Sequence, residues 1–312
     1  MFYNGIIIID HWAPAGEYEG MYPKGARNKS CYISPTVMPQ ELSFLKPEHY
    51  YLFKESNERY PWQFWIEIIA YRLGEFMKIK VPPAYVGYNE SEDKFGALIE
   101  WFYDEECGYI DGSMIMKYQI DYYDTKRGSQ HNLETILDFI DRNPVFVQHW
   151  AKVLLFDSIT GNNDRHQDNW GIVYKKEGDS FKDIHFSPAF DNGTSMGHEI
   201  LEEKFVNFND RNRLKTYILN DKAKHHMKYN LKENTSYNFI EFMKRYITEY
   251  RIVDETVRNC LDFDFYTFEQ SVFELKKIVT SGKYQLTEKR LSFILTLLRE
   301  RIYLLQQMID NI

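Results

Sequence analysis

The chain has 312 residues, 44% of them hydrophobic and 24 Tyr and 22 Phe among them, enough for a sizeable aromatic core in one two-lobed domain or two modest ones. That composition excludes bulk disorder, and a net charge of −8 argues against a protein that binds nucleic-acid phosphates across a broad basic surface. Three well-separated cysteines, Cys31, Cys107 and Cys260, with no Cys-x-x-Cys pair, exclude a disulfide framework and a zinc ribbon and fit a reducing cytosol.

In chain order, the first hundred residues read as mostly strand. A short apolar run at 6–9, a plausible strand at 30–33 and the β-prone Tyr-Tyr-Leu-Phe-Lys at 50–54 come first. No basic segment precedes the run at 6–9, and no apolar stretch approaches the ~20 residues of a membrane helix, so a soluble, cytoplasmic protein without a membrane partner is expected. One helix, 62–78, carries Ile66, Ile69, Leu73 and Phe76 at helical spacing and ends before Val81-Pro82-Pro83. Strands follow at 84–88 and 95–101. The stretch 104–129 reads as polar and irregular, and helices are expected at 133–141 and 145–160. Short strands at 171–174 and 184–186 bracket a charged hairpin, 175–182. The remainder reads as helical, ending in a helix with Leu291, Ile294, Leu298, Ile302, Leu305 and Ile309 on one face. This order implies an α+β protein of two lobes, β-rich over 1–102 and helical over 103–312, with a cleft between them.

Between an apolar helix and an apolar strand lies Gly161-Asn162-Asn163-Asp164-Arg165-His166-Gln167-Asp168-Asn169-Trp170-Gly171, with eight polar residues in succession. A loop this polar, joined directly to core elements, is either fully solvated or lines a cleft. Phosphoryl transfer needs a carboxylate to orient the attacking hydroxyl and take its proton, and oxygen ligands for Mg²⁺. Asp164 and Asn169 offer both at the Asp-to-Asn spacing of a protein-kinase catalytic loop. Asp191, before an Asn-Gly turn in Pro188-Ala189-Phe190-Asp191-Asn192-Gly193, is the candidate second metal ligand. Each Asp alone is better read as a turn residue; the combination favours function. In the β-rich lobe, Lys54 at a strand end is the candidate for holding the ATP phosphates, and Glu67, flanked by isoleucines on the helix, the candidate for positioning that lysine. The turn-like loop 24–30, with Gly25, Arg27, Asn28, Lys29 and Ser30, offers backbone N–H groups and cations to phosphate. No Walker A motif and no Gly-x-Gly-x-x-Gly occurs.

The block from Gly161 to His166, Asn169-Trp170-Gly171 and Pro188-Ala189-Phe190-Asp191 resemble the signature of the HipA-like bacterial kinases, in particular the short, proinflammatory, cell-translocating type without the extra N-terminal subdomain of HipA toxins. The resemblance implies a protein-kinase-like fold and an ATP- and Mg²⁺-dependent serine/threonine kinase that phosphorylates itself. It further implies Asp164 as catalytic base, Asn169 and Asp191 as Mg²⁺ ligands, Lys54 on the ATP phosphates, and backbone from Glu100 to Phe102 against adenine. His166 would order the loop. A protein substrate is expected, with an antitoxin or host protein as a further partner, and delivery into another cell stays open. A lipid or small-molecule kinase related to phosphatidylinositol kinases, which share an Asp-Arg-His-x-x-Asn block, and a toxin–antitoxin-type nucleotide-binding protein are the alternatives. The acidic balance disfavours a lipid substrate. The pairs His198-Glu199 and His225-His226 lack a third ligand at sensible spacing for a metal.

Overall fold

In the order of the chain, β-branched and aromatic runs build a six-stranded sheet first. The structure, a computed structural model, describes residues 2–15, 29–178, 180–220 and 222–312. Its strands are β1 (Ile6–Ile8), β2 (Ala13–Pro14), β3 (Lys29–Ile33), β4 (Tyr50–Glu55), β5 (Ala84–Asn89) and β6 (Lys94–Glu100), in the order β1-β5-β6-β4-β3-β2. All neighbours are antiparallel except β1 and β5. Helix α1 (Phe64–Met77) packs on β5 and β6 and buries Ile66, Ile69 and Leu73 completely. It stops at Lys78, whose left-handed φ of 56° turns the chain before the two prolines are reached.

A second, three-stranded sheet pairs β7 (Cys107–Asp111), β8 (Gly171–Glu177) and β9 (Ser180–Phe186) antiparallel. Around it stand α2 (Gly112–Gln119), α3 (Leu133–Phe139) and α4 (Pro144–Thr160), followed by α5 (Arg211–Leu219), α6 (Phe239–Glu249), α7 (Asp254–Leu261), α8 (Phe265–Phe273) and α9 (Glu288–Ile309). The six apolar residues expected on one face of α9 are all buried. The fold is α+β. One continuous apolar cluster runs from α1 and β5 through α4 to α9, so the two halves share a core at the back. Trp65 Nε1 donates to Tyr284 O at 2.8 Å and Trp62 Nε1 to His198 O at 2.9 Å, bolting α1 to the helical half.

Three sequence expectations are corrected. The stretch 104–129 is not irregular; it contains β7 and α2. Every residue of β7 is half-buried, so it shows no alternation, and α2 buries only four residues, without an apolar stripe. The charged residues 175–182 lie largely within β8 and β9, because that end of the hairpin faces solvent and tolerates charge. Lys29 and Ser30 begin β3 rather than forming a loop, whereas Gly25, Arg27 and Asn28 lie outside the described residues.

Candidate active site

Lys54 sits on β4 between β3 and β6, opposite Lys29 and Ala97, and only 4% of it is exposed. A buried ammonium needs anionic partners. Glu67, in the first turn of α1, supplies one at 2.7 Å, and Asp191 supplies another at 2.5 Å. Glu67 does more than the sequence suggested. Its carboxylate also accepts the backbone N–H groups of Asn192 and Gly193, each at 3.0 Å. One side chain therefore clamps the lysine and the turn that carries Asp191. That turn requires Asp191 to adopt a left-handed φ of 54°, which Asp tolerates better than β-branched residues do.

The polar loop is held from beneath by a residue whose role the sequence did not disclose. Helix α4 ends at Gly161, in a left-handed conformation (φ 70°), where an added Cβ would lie 2.6 Å from Arg301 Nη2. Arg165 then turns inward and is fully buried. Its guanidinium grips Asp157 of α4 with two bonds, Nε at 3.0 Å and Nη2 at 2.7 Å. The same group donates to Asn169 O at 3.2 Å, to Asn192 Oδ1 at 3.0 Å and to Phe190 O. Burial alone would lower the pKa of Arg165, but the Asp157 carboxylate and its hydrogen bonds raise it, so the guanidinium stays charged. Arg165 thus ties α4, the polar loop and the Asp191 turn into one unit. The signal available in sequence was Asp157, a lone charge late in an apolar helix.

Within the loop, Asp164 N–H donates to Asn162 Oδ1 at 3.1 Å, and Asp164 O accepts from His166 N at 2.8 Å and Asn169 Nδ2 at 2.7 Å. The Asp164 carboxylate stays partly exposed, with Thr194 Oγ1 3.5 Å from its Oδ2. His166 Nδ1 accepts the Asp168 N–H at 3.2 Å, so the imidazole shapes the loop.

A cavity of about 330 Å³ opens between the sheet and this loop. Lys29, Lys54, Glu67, Glu100, Phe102 and Asp191 line it, together with Asp111 and Asp168, two carboxylates the sequence reading passed over. Asp164, His166, Asn169 and Ser30 are not in its wall. Apolar Leu52, Val81, Ala84 and Ile99 form its floor, and Phe102 stacks on Phe190 with ring centroids 5.2 Å apart. At the strand end, Glu100 N–H donates to Pro83 O at 2.8 Å, and Pro83, having no N–H, returns nothing to Glu100 O. Trp101 N–H is occupied by Tyr50 O and Trp101 O by His49 Nε2. Among the described residues no cluster of three or more His, Cys, Asp or Glu is arranged around one metal position, and no helix is long and apolar enough to cross a membrane.

A β-sheet carrying a buried lysine–glutamate pair over a helical half with a polar loop and a second carboxylate defines the kinase-like class. The chain belongs to the HipA-like C-terminal domain family, whose model matches residues 21–262. Among solved structures it is similar to the Helicobacter pylori proinflammatory kinase CtkA, with a TM-score of 0.74 at 17% identity, covering 98% of each chain. A toxin–antitoxin complex of Shewanella oneidensis MR-1 HipA with HipB and operator DNA is a more distant match, at 12% identity and a TM-score of 0.47, covering 96% of this chain and 69% of that one. No curated protein sequence matches the chain. The likeness to CtkA shows the fold, and the family membership makes the protein kinase-like.

Proposed function

We propose that the protein transfers the γ-phosphoryl group of ATP, with Mg²⁺, to a serine or threonine hydroxyl of a protein and also phosphorylates itself. The observation that carries this reading is the contact of Lys54 with both Glu67 and Asp191 in a cavity bordered by the Asp164 loop. The apolar floor and the Phe102–Phe190 stack suit the flat face of adenine. Glu100 O, unanswered by Pro83, suits the adenine amino group.

The residues present fit a magnesium nucleotide. Asp191 and the Asn169 side-chain oxygen would hold the metal, with Asp168 beside them; a hard cation that retains waters and phosphate oxygens needs few protein ligands. When bound, Mg²⁺ neutralises charge on the phosphates. Lys54 places its ammonium on the phosphate oxygens, exchanging part of its contact with Asp191 for them. Asp164 accepts the hydroxyl proton of the acceptor as its oxygen bonds to phosphorus and the bond to the departing ADP oxygen breaks. Arg165 and Glu67 keep the loop and the Asp191 turn in register.

The test is incubation of the purified protein with labelled ATP, alone and with cell lysate, in Mg²⁺ or in EDTA, followed by phosphoamino-acid analysis. Label in phosphoserine or phosphothreonine that disappears in EDTA is expected. Label in lipid or small molecules only, or no label with intact nucleotide binding, would overturn the reading.

A further inference from the structure

A second cavity, of about 510 Å³, opens on the helical half beside the loop that carries Asp164. Asn163, the residue before Asp164, forms part of its wall, and the His226 ring in its lining lies 6.0 Å from the His166 ring. Four cations surround it, Arg127, Lys222, Lys224 and Lys228, in a chain whose net charge is −8. Among the described residues no carboxylate pairs with any of the four; Lys224 Nζ donates to Thr235 Oγ1, at 2.6 Å. Unneutralised like charges converging on one concavity repel each other, and the arrangement is relieved by an anion.

The inner wall adds an independent sign of a ligand. His131 is 1% exposed, and its Nε2 accepts the Trp170 indole N–H at 3.0 Å, which leaves its proton on Nδ1. That Nδ1 donor is buried and has no hydrogen-bond partner in the protein. Burial also keeps the ring neutral, so it offers a hydrogen bond rather than a further charge.

We propose that this cavity is the subsite for an anionic side chain of the protein acceptor, an Asp, Glu or phosphorylated residue a few positions from the hydroxyl presented to Asp164. The inference deepens the kinase reading and rests on it for the word acceptor. Its geometric content is separate: a polypeptide carrying negative charge seats beside Asp164, across the loop from the nucleotide cavity.

Fluorescein-labelled peptides test it, each with one serine and flanks of glutamate, phosphoserine or glutamine. Anisotropy with the full chain reads binding without any transfer, and labelled ATP is run in parallel. The glutamate or phosphoserine peptide should bind about tenfold more tightly than the glutamine peptide, and the preference should shrink in high salt. The comparison of the two anionic arms identifies the source of the charge. Lys222→Ala/Lys228→Ala should remove most of the preference while melting like wild type, since Lys222 is exposed and Lys228 half-buried. In transfer assays the same variant should raise KM for the anionic peptide about tenfold and leave kcat and ATP binding unchanged. Equal binding of anionic and neutral peptides, or a preference untouched by the double substitution, overturns the proposal. So does lysine-dependent binding of a single-stranded oligonucleotide without any peptide preference. Charge-selective peptide binding without transfer would instead sink the kinase reading and leave the subsite standing.

Discussion

The two cavities on either side of the Asp164 loop are built on opposite electrostatic plans. In the first, Lys54 is buried and contacts two carboxylates, and Glu67 spends its remaining acceptor capacity on two backbone N–H groups. In the second, three lysines and an arginine stand at the rim with no carboxylate opposite them among the described residues. A site whose charges are mutually satisfied holds its geometry before a ligand arrives, which suits positioning of a reacting group. A site whose charges are unmet gains more from the ligand's own charge, which suits selection among partners. Arg165 joins the two, because the loop it anchors has the Lys54 cavity on one side and Asn163 of the basic cavity on the other.

The sharpest way to break this division is Asp164→Asn, the substitution at the boundary. Transfer should fall by about 10³-fold or more, with nucleotide and peptide binding both retained, since Asp164 lines neither wall. Rapid-quench transfer measured beside equilibrium binding of each ligand checks this, and a variant within tenfold of wild type would remove Asp164 from the chemistry. Lys54→Met comes next. It should cost ~10²–10³ in rate through the lost charge on the phosphates. It should also lower stability by about 3 kcal/mol, because Glu67 and Asp191 would then face each other without a cation. Chemical denaturation alongside kinetics separates the two effects; a variant as stable as wild type would contradict the buried pairing.

Asp191→Asn is milder. Asparagine also accepts the left-handed backbone at this position, so the turn should survive while an anionic oxygen is lost. The Mg²⁺ concentration for half-maximal transfer should rise at least about tenfold, with nucleotide affinity in EDTA little changed. An unchanged Mg²⁺ requirement would place the metal elsewhere.

How much of this was legible in the sequence follows from how local each signal is. The strand of Lys54, the helix of Glu67 and the apolar face of α9 announce themselves through short-range periodicity, and the structure reproduces them within a residue or two. Asp164, Asn169 and Asp191 stood out as polar residues at fixed spacing between apolar elements. Asp111 and Asp168 did not, because β7 was unrecognised and Asp168 read as one more polar residue in the loop. The clamp of Glu67 on the Asp191 turn spans 125 positions, and no local pattern encodes it. The basic cavity is least legible of all. Arg127 and the lysines of 222–228 lie about a hundred residues apart, and within an acidic chain neither group looks unusual until the fold brings them to one rim.

The smallest effect concerns where the charge of that second cavity resides. His225 lies in its wall, 1% exposed, with its Nε2 3.3 Å from Ser158 Oγ. Burial, followed by the nearby Arg165 charge, lowers its pKa to about 3. In the unfolded chain an ordinary histidine titrates near 6.5. Between those values the unfolded state binds a proton that the folded state refuses, so stability falls as pH falls through this window. The slope from one such site approaches about 1.4 kcal/mol per pH unit between pH 6 and pH 4. His225→Gln retains a side-chain amide able to reach Ser158 and removes the titration. Denaturant midpoints for wild type and variant at pH 7, 6 and 5 should therefore converge on acidification, the variant losing less stability at each step. Parallel curves would mean that His225 protonates readily in the folded protein. In that case the cavity would gain positive charge below pH 6, and peptide affinity would climb steeply with acidity. With His225 neutral and the charge carried by lysine and arginine, the anionic-peptide preference should instead stay flat from pH 8 to pH 6, provided glutamate supplies the charge.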